Sequence, residues 1–149
     1  MKHSVRAVLL AAICASVSVT AAHAQKVETA KRETLLQATS SWNGKPYTHY
    51  PTTQPQLTVL RVTLQPHTAL PWHTHPFPNT CYILEGDLTI HDRASGATHT
   101  YHKGEVFGEA DNAEHRGEAG DKETVLLLTY AGTPGVPPSI PAKGEKPEY

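Results

Sequence analysis

The sequence predicts an all-β domain, a sandwich or small barrel. Short apolar or β-branched runs recur from Leu57 to Tyr130. Turn signals separate them at intervals of about 8 to 12 residues, the spacing of all-β folds. The strongest run, Val125-Leu126-Leu127-Leu128, is continuous, as expected of a strand buried on both faces. The chain has 149 residues, which fits one domain, and shows neither an internal repeat nor a second domain.

Residues 25–42 are polar, with Leu35 and Leu36 as their main apolar pair, and read as a short helix or an arm on the outside of the domain. Ser40-Ser41 and Asn43-Gly44 signal turns. Residues 46–55 are broken by proline, carry Tyr47, His49 and Tyr50, and read as an extended edge segment. Residues 25–56 thus form an N-terminal arm and edge.

The barrel proper is expected over residues 57–131. Residues 57–64 are β-branched and alternate in their second half. Pro66-His67 turns the chain. Residues 80–84 form a short run closed by Glu85-Gly86-Asp87, and residues 88–91 follow at hairpin distance. Turns at Ser95-Gly96 and Lys103-Gly104 bracket a return strand over 98–101, with Val106-Phe107 beyond. Ala110-Asp111-Asn112 is a loop, His115-Arg116 opens a further strand, and Gly120-Asp121 turns into the strand at 124–130. Residues 132–149 hold five prolines and few apolar side chains, and are expected to be an arm or a disordered end.

The first 24 residues read as a secretory signal peptide. Lys2 and Arg6 precede an apolar stretch over 8–15, and Ala22-His23-Ala24 is a cleavage signal before Gln25. The stretch is short of the roughly 20 residues that span a bilayer. A periplasmic or secreted protein is expected, with no membrane partner after cleavage. Eleven basic and fourteen acidic residues then remain, a formal charge of −3. No basic patch points to nucleic acid or a membrane surface. Cys14 leaves with the leader, and a lipoprotein reading of it is weak because Ile13 precedes it. Cys81 then has no internal disulfide partner.

The chemistry concentrates in Pro71-Trp72-His73-Thr74-His75-Pro76-Phe77-Pro78-Asn79. Alternate side chains of an extended strand share a face, so His73 and His75 aim their imidazoles one way. His115 opens a strand two hairpins later and is expected nearby. Three neutral imidazoles suit a divalent first-row transition metal and leave positions for water or substrate. His49, His91, His99 and His102 carry no such pattern and read as surface or hydrogen-bonded residues. Neutral-nitrogen affinity rises toward copper and stays high for zinc, ahead of iron, manganese and nickel.

At these residues the chain resembles the cupin superfamily. Its first motif is Gly, five residues, His-x-His, three or four residues, Glu, six residues, Gly. Here His67 stands at the first glycine, then come His73, His75, Asn79 and Gly86 at those spacings. Its second motif is Gly, five residues, Pro-x-Gly, two residues, His, three residues, Asn. Here Gly104 leads to Ala110-Asp111-Asn112, His115 and Ala119. The resemblance implies a double-stranded β-helix barrel, a metal held by His73, His75 and His115, and a homodimer. His67 and Asn112 replace glycines, and His and Asn tolerate left-handed backbone better than most residues. Asn79 replaces the one anionic ligand of the motif and is expected as a weak fourth ligand or as a hydrogen-bonding partner of bound water or substrate. Some cupin dioxygenases use three histidines without a carboxylate, and an anionic substrate would restore the charge.

Parity places Cys81 and Ile83 on the face of Asn79, with Cys81 beside the metal or as an apolar filler, and Tyr82 outward. Glu109 and Glu114 are the acids nearest His115. Glu109 is a general acid or base if it points inward, and a solvated loop carboxylate otherwise. Trp72, Pro76 and Phe77 would line a pocket mouth. Two functions remain: a metal-dependent, oxygenase-like enzyme acting on a small molecule, or a non-catalytic cupin binding a metal or small ligand for storage, sensing or structure. The enzyme requires a substrate-sized pocket and an inward acid, base or redox group. The binding protein requires a closed or inert one.

Overall fold

The computed structural model describes residues 29–147. The leader and its expected cleavage after Ala24 lie outside the described residues. The chain divides into two units, Met1–Arg32 and Glu33–Tyr149. Of the first, residues 29–32 are described, and they are exposed without regular structure. The second unit carries the sheets and the candidate site.

Among the described residues, nine strands succeed one another: β1 (Gln56–Leu64), β2 (His73–Thr74), β3 (Asn79–Glu85), β4 (Asp87–Asp92), β5 (Thr98–His102), β6 (Val106–Gly108), β7 (His115–Ala119), β8 (Thr124–Gly132) and β9 (Ile140–Pro141). Among the described residues there is no helix. The strands form two sheets, ordered β1-β8-β3-β6 and β5-β4-β7-β2-β9. All their ladders are antiparallel. This is the all-β, two-sheet architecture that the strand spacing predicts.

Each sheet follows from its sequence pattern. β8 lies between β1 and β3, which accounts for its apolar run. Val125, Leu126 and Leu128 are buried, Leu127 is half-buried, and Thr129 is exposed, so two-sided burial holds only in its first half. β3 alternates cleanly, with Asn79, Cys81 and Ile83 buried and Thr80, Tyr82 and Leu84 partly exposed. The inner faces meet in a core that includes Ile83, Leu88, Ile90, Phe107, Leu126 and Leu128. Burying each such side chain stabilises the fold by about 1.5–3 kcal/mol.

Turn chemistry fixes the register. Gly86 joins β3 to β4 at φ 72°, and a Cβ there would lie 2.5 Å from the Glu123 carbonyl oxygen. His67 and Asn112 adopt φ 59° and 52°, the left-handed backbone expected where they replace glycines.

Two expectations change. Residues 29–39 form no helix and are exposed, and a turn follows in which Ser41 N donates to Lys45 O at 2.9 Å. Residues 47–55 join no sheet, although Pro46 bridges Ser40. The proline-rich tail is more than an arm or a disordered end. Its β9 pairs with β2 through His73↔Pro141 and Thr74↔Ile140, and Ala142 N donates to Trp72 O at 2.8 Å. β2 is short and would otherwise be a bare edge, so its unpaired amides give the returning tail a partner.

Candidate metal centre

Strand register brings the histidines together. His73 on β2 lies directly opposite His115 on β7. His75 follows β2 and bridges Asp111. The three ring centroids are 4.6 to 4.9 Å apart. His73, His75 and His115 are 3%, 1% and 0% exposed.

Each ring is oriented from behind. His73 Nδ1 donates to Pro71 O at 2.8 Å, and His115 Nδ1 to Ala113 O at 2.7 Å. A carbonyl only accepts, so these contacts fix the proton on Nδ1 and leave Nε2 for a ligand. In both, the acceptor sits two residues earlier, a local device written into the strand entry. His75 Nδ1 instead donates to Pro138 O at 2.7 Å, 63 residues away in the tail.

The fourth group is Glu109. It follows β6, is buried, and turns its carboxylate onto the trio. Oε2 contacts His75 Nε2 directly and lies 3.6 Å from His115 Nε2. Candidate ligand atoms of His73, His75, Glu109 and His115 all lie within 4.8 Å of one another. Burial alone would raise the Glu109 pKa, but electrostatic attraction from His75, then the His115 contact, outweighs it and holds the group well below the usual carboxylate range. Glu109 therefore stays ionised. His73 goes the other way: burial first, then His115 and His75, pushes it down to about 3, so it stays neutral.

This donor set fits a divalent ion. Three imidazoles and one carboxylate are ordinary transition-metal donors. His115 Nε2 is buried and has no hydrogen-bond partner, because 3.6 Å is too long for one. The cavity enclosed by these residues is about 10 Å3, room for an ion or one water.

The remaining sequence candidates sort around this group. Asn79 Nδ2 donates to Glu109 Oε2 at 2.8 Å, and Glu109 N donates to Asn79 O at 3.0 Å. Asn79 therefore directs its amide at the carboxylate that stands in for the one its own position lacks. Its Oδ1 is buried and without a hydrogen-bond partner. Cys81 points inward by parity, but it belongs to the apolar core and lies outside the four-residue cluster. Glu109 is no solvated loop carboxylate, which corrects the default reading of it. Glu114 is the solvated one, paired with Arg93 at 2.9 Å. Trp72 packs under Arg93 and Arg116, and Phe77 lies against Gly132, so neither lines the metal cavity. His91 and His102 sit beside Glu118 and Asp87, and His99 against Tyr101.

The role of Glu109 was open in the sequence, and a signal for it existed. An asparagine at the acidic position of the first motif calls for a carboxylate elsewhere, and Glu109 opens the loop that leads to His115.

Comparison with known proteins agrees with this geometry. The family model described as "Cupin domain" matches residues 60–130. No curated protein matches the chain. Among solved structures, a DMSP lyase aligns at TM-score 0.51 and 17% identity, covering 58% of this chain and 44% of that one. A cupin-like protein from Thermotoga maritima aligns at TM-score 0.50 and 20% identity, covering 58% and 64%. The polyketide cyclase RemF from Streptomyces resistomycificus aligns at TM-score 0.50 and 20% identity, covering 58% and 60%. Each alignment spans less than two thirds of the other chain, and at these identities the likeness is one of fold. Motif spacing, two-sheet topology and the family match over residues 60–130 lead to one conclusion: the chain carries a cupin domain.

Proposed function

We propose that this protein is a metal-dependent cupin enzyme that binds one divalent transition ion through His73, His75, Glu109 and His115 and acts on a small molecule in an oxygenase-like reaction. The observation that carries the reading is the buried Glu109 carboxylate beside three oriented imidazoles. Such an ion, when bound, supplies Lewis-acid polarisation of a substrate or activation of dioxygen. The chain's own residues do the rest. Pro71, Ala113 and Pro138 carbonyls hold the rings, Asn79 holds the carboxylate, and the apolar wall of Leu70, Leu88, Leu126 and Leu128 excludes water.

Glu109 changes the charge argument. With its carboxylate in place, the centre no longer needs an anionic substrate to balance the ion. The donor set accommodates zinc, copper, iron, manganese or nickel. The reading includes export with cleavage after Ala24, supported by the leader sequence. It also includes a homodimer, supported by the exposed Val59 on edge strand β1. A second reading, a non-catalytic metal or ligand binder, is favoured by the closed cavity of about 10 Å3.

Elemental analysis of the mature protein from its native compartment tests the metal centre, alongside His73→Ala, His115→Ala and Glu109→Gln. Stoichiometric metal in wild type and loss in all three variants is expected. Equal, sub-stoichiometric metal in all four would remove the basis of the reading. Dioxygen uptake by the loaded protein with candidate substrates then separates enzyme from binder.

A further inference from the structure

A cavity of about 10 Å3 admits no organic substrate, so a metal centre of this kind needs a neighbouring site. A cavity of about 650 Å3 adjoins it, lined by the arm and by residues of β1, β3, β6 and β8. That volume is typical of sites for small organic ligands. Tyr130 lines both cavities, and its ring lies 5.4 Å from that of His75. A second large cavity, beside Trp42 and Asp92, includes none of the four clustered residues.

The cavity of about 650 Å3 is also tied to Glu109. Tyr47 Oη donates to the Glu109 carbonyl at 2.8 Å, and Asn79 bonds both its amide and its carboxylate. Tyr47 and Asn79 both line this cavity. A Cβ at Gly108 would collide with the Tyr47 hydroxyl, so glycine there lets the tyrosine reach over. The carbonyl, the amide and the carboxylate of Glu109 are thus all held by residues that a ligand in this cavity would touch.

The lining gives the ligand's chemistry. Tyr47, Tyr50 and Tyr130 offer ring faces and edges, and Leu36, Leu57 and Pro78 offer apolar surface. No Asp, Glu, Lys or Arg side chain lines the cavity. A cation entering it would lose water without gaining a counter-charge, and an anion would meet only the His49 imidazole.

We propose that this cavity binds an uncharged, ring-bearing small molecule and presents it to the metal centre across the wall formed by Asn79 and Tyr130. The inference rests on the metal-enzyme reading above and names its substrate class. Occupancy is sensed at the centre through the Tyr47 and Asn79 hold on Glu109.

The test uses the mature chain loaded with cobalt(II), with 2-naphthol and 2-naphthoate as neutral and anionic probes of one shape. Calorimetry on wild type should give naphthol at least about tenfold tighter than naphthoate. Leu57 is 83% exposed, so Leu57→Arg leaves the fold intact while placing a cation in the lining. It should erase or reverse the preference. Naphthol, but not naphthoate at equal concentration, should shift the cobalt visible bands in wild type. Equal or tighter naphthoate binding in wild type, or a preference unchanged in Leu57→Arg, would overturn the proposal. So would Leu57-dependent naphthol binding that leaves the cobalt bands unmoved. If wild type takes up no cobalt yet binds naphthol in a Leu57-dependent way, the cavity stands and the metal reading alone falls.

Discussion

The metal-free protein should be acid-labile, and His73 should account for a measurable share of that. Its imidazole is 3% exposed and held down to about 3, by burial first and then by its neighbours His115 and His75. In the unfolded chain it titrates near 6.5. A depressed imidazole pKa means that the unfolded state binds the proton first. The stability tied to this group is therefore whole above about pH 6.5 and is lost as pH falls toward about 3. Each pH unit within that window costs about 1.4 kcal/mol. Between about pH 7 and about pH 4 the loss reaches about 3 kcal/mol, a large part of the about 5–15 kcal/mol that holds a domain together. Glu109, held well below its ordinary range, also loses its contribution in acid, but it does so with or without His73. The comparison is therefore wild type against His73→Gln, in chelator, by urea unfolding at several pH values. The variant should lose about 3 kcal/mol less than wild type across that interval. Parallel pH curves would show that His73 is not held neutral, and the account of the buried trio would fail with it.

Two further outcomes bear on how the centre is held. Asn79→Leu removes the donor to Glu109 and also the buried, unpartnered Oδ1. Metal affinity should fall about tenfold in a chelator competition, while the unfolding free energy of the metal-free protein should stay within about 1 kcal/mol. Tighter metal binding would mean that Asn79 does not position the carboxylate. Truncation after Val136 removes Pro138 O, the acceptor for His75, together with β9. It should weaken metal binding about 10- to 100-fold, whereas truncation after Lys143 should leave affinity unchanged. Equal affinities in the two truncations would show that the tail does not orient His75.

Much of the fold was legible in the chain because β periodicity and turn chemistry are local. The Asn79, Cys81 and Ile83 parity needs only the alternation of a strand, and it holds. His67 and Asn112 could be assigned left-handed backbone because two spacings put them where glycines belong, and both adopt it. The tail was opaque for the opposite reason. Two residues of β9 have no period to read, and what recruits them is the open edge of β2, some 66 residues earlier.

The three histidines follow from sequence alone: a strand sets His73 and His75 on one face, and motif spacing sets His115 across from them. The fourth group does not follow. Whether Glu109 points to solvent or to the three histidines depends on loop geometry, on Tyr47 arriving over Gly108, and on Asn79 offering its amide from another strand. None of these is a local property of residues 104–115. The sequence showed that an anion was missing at position 79. Only tertiary packing, which brings β3 alongside β6, showed where a carboxylate takes its place.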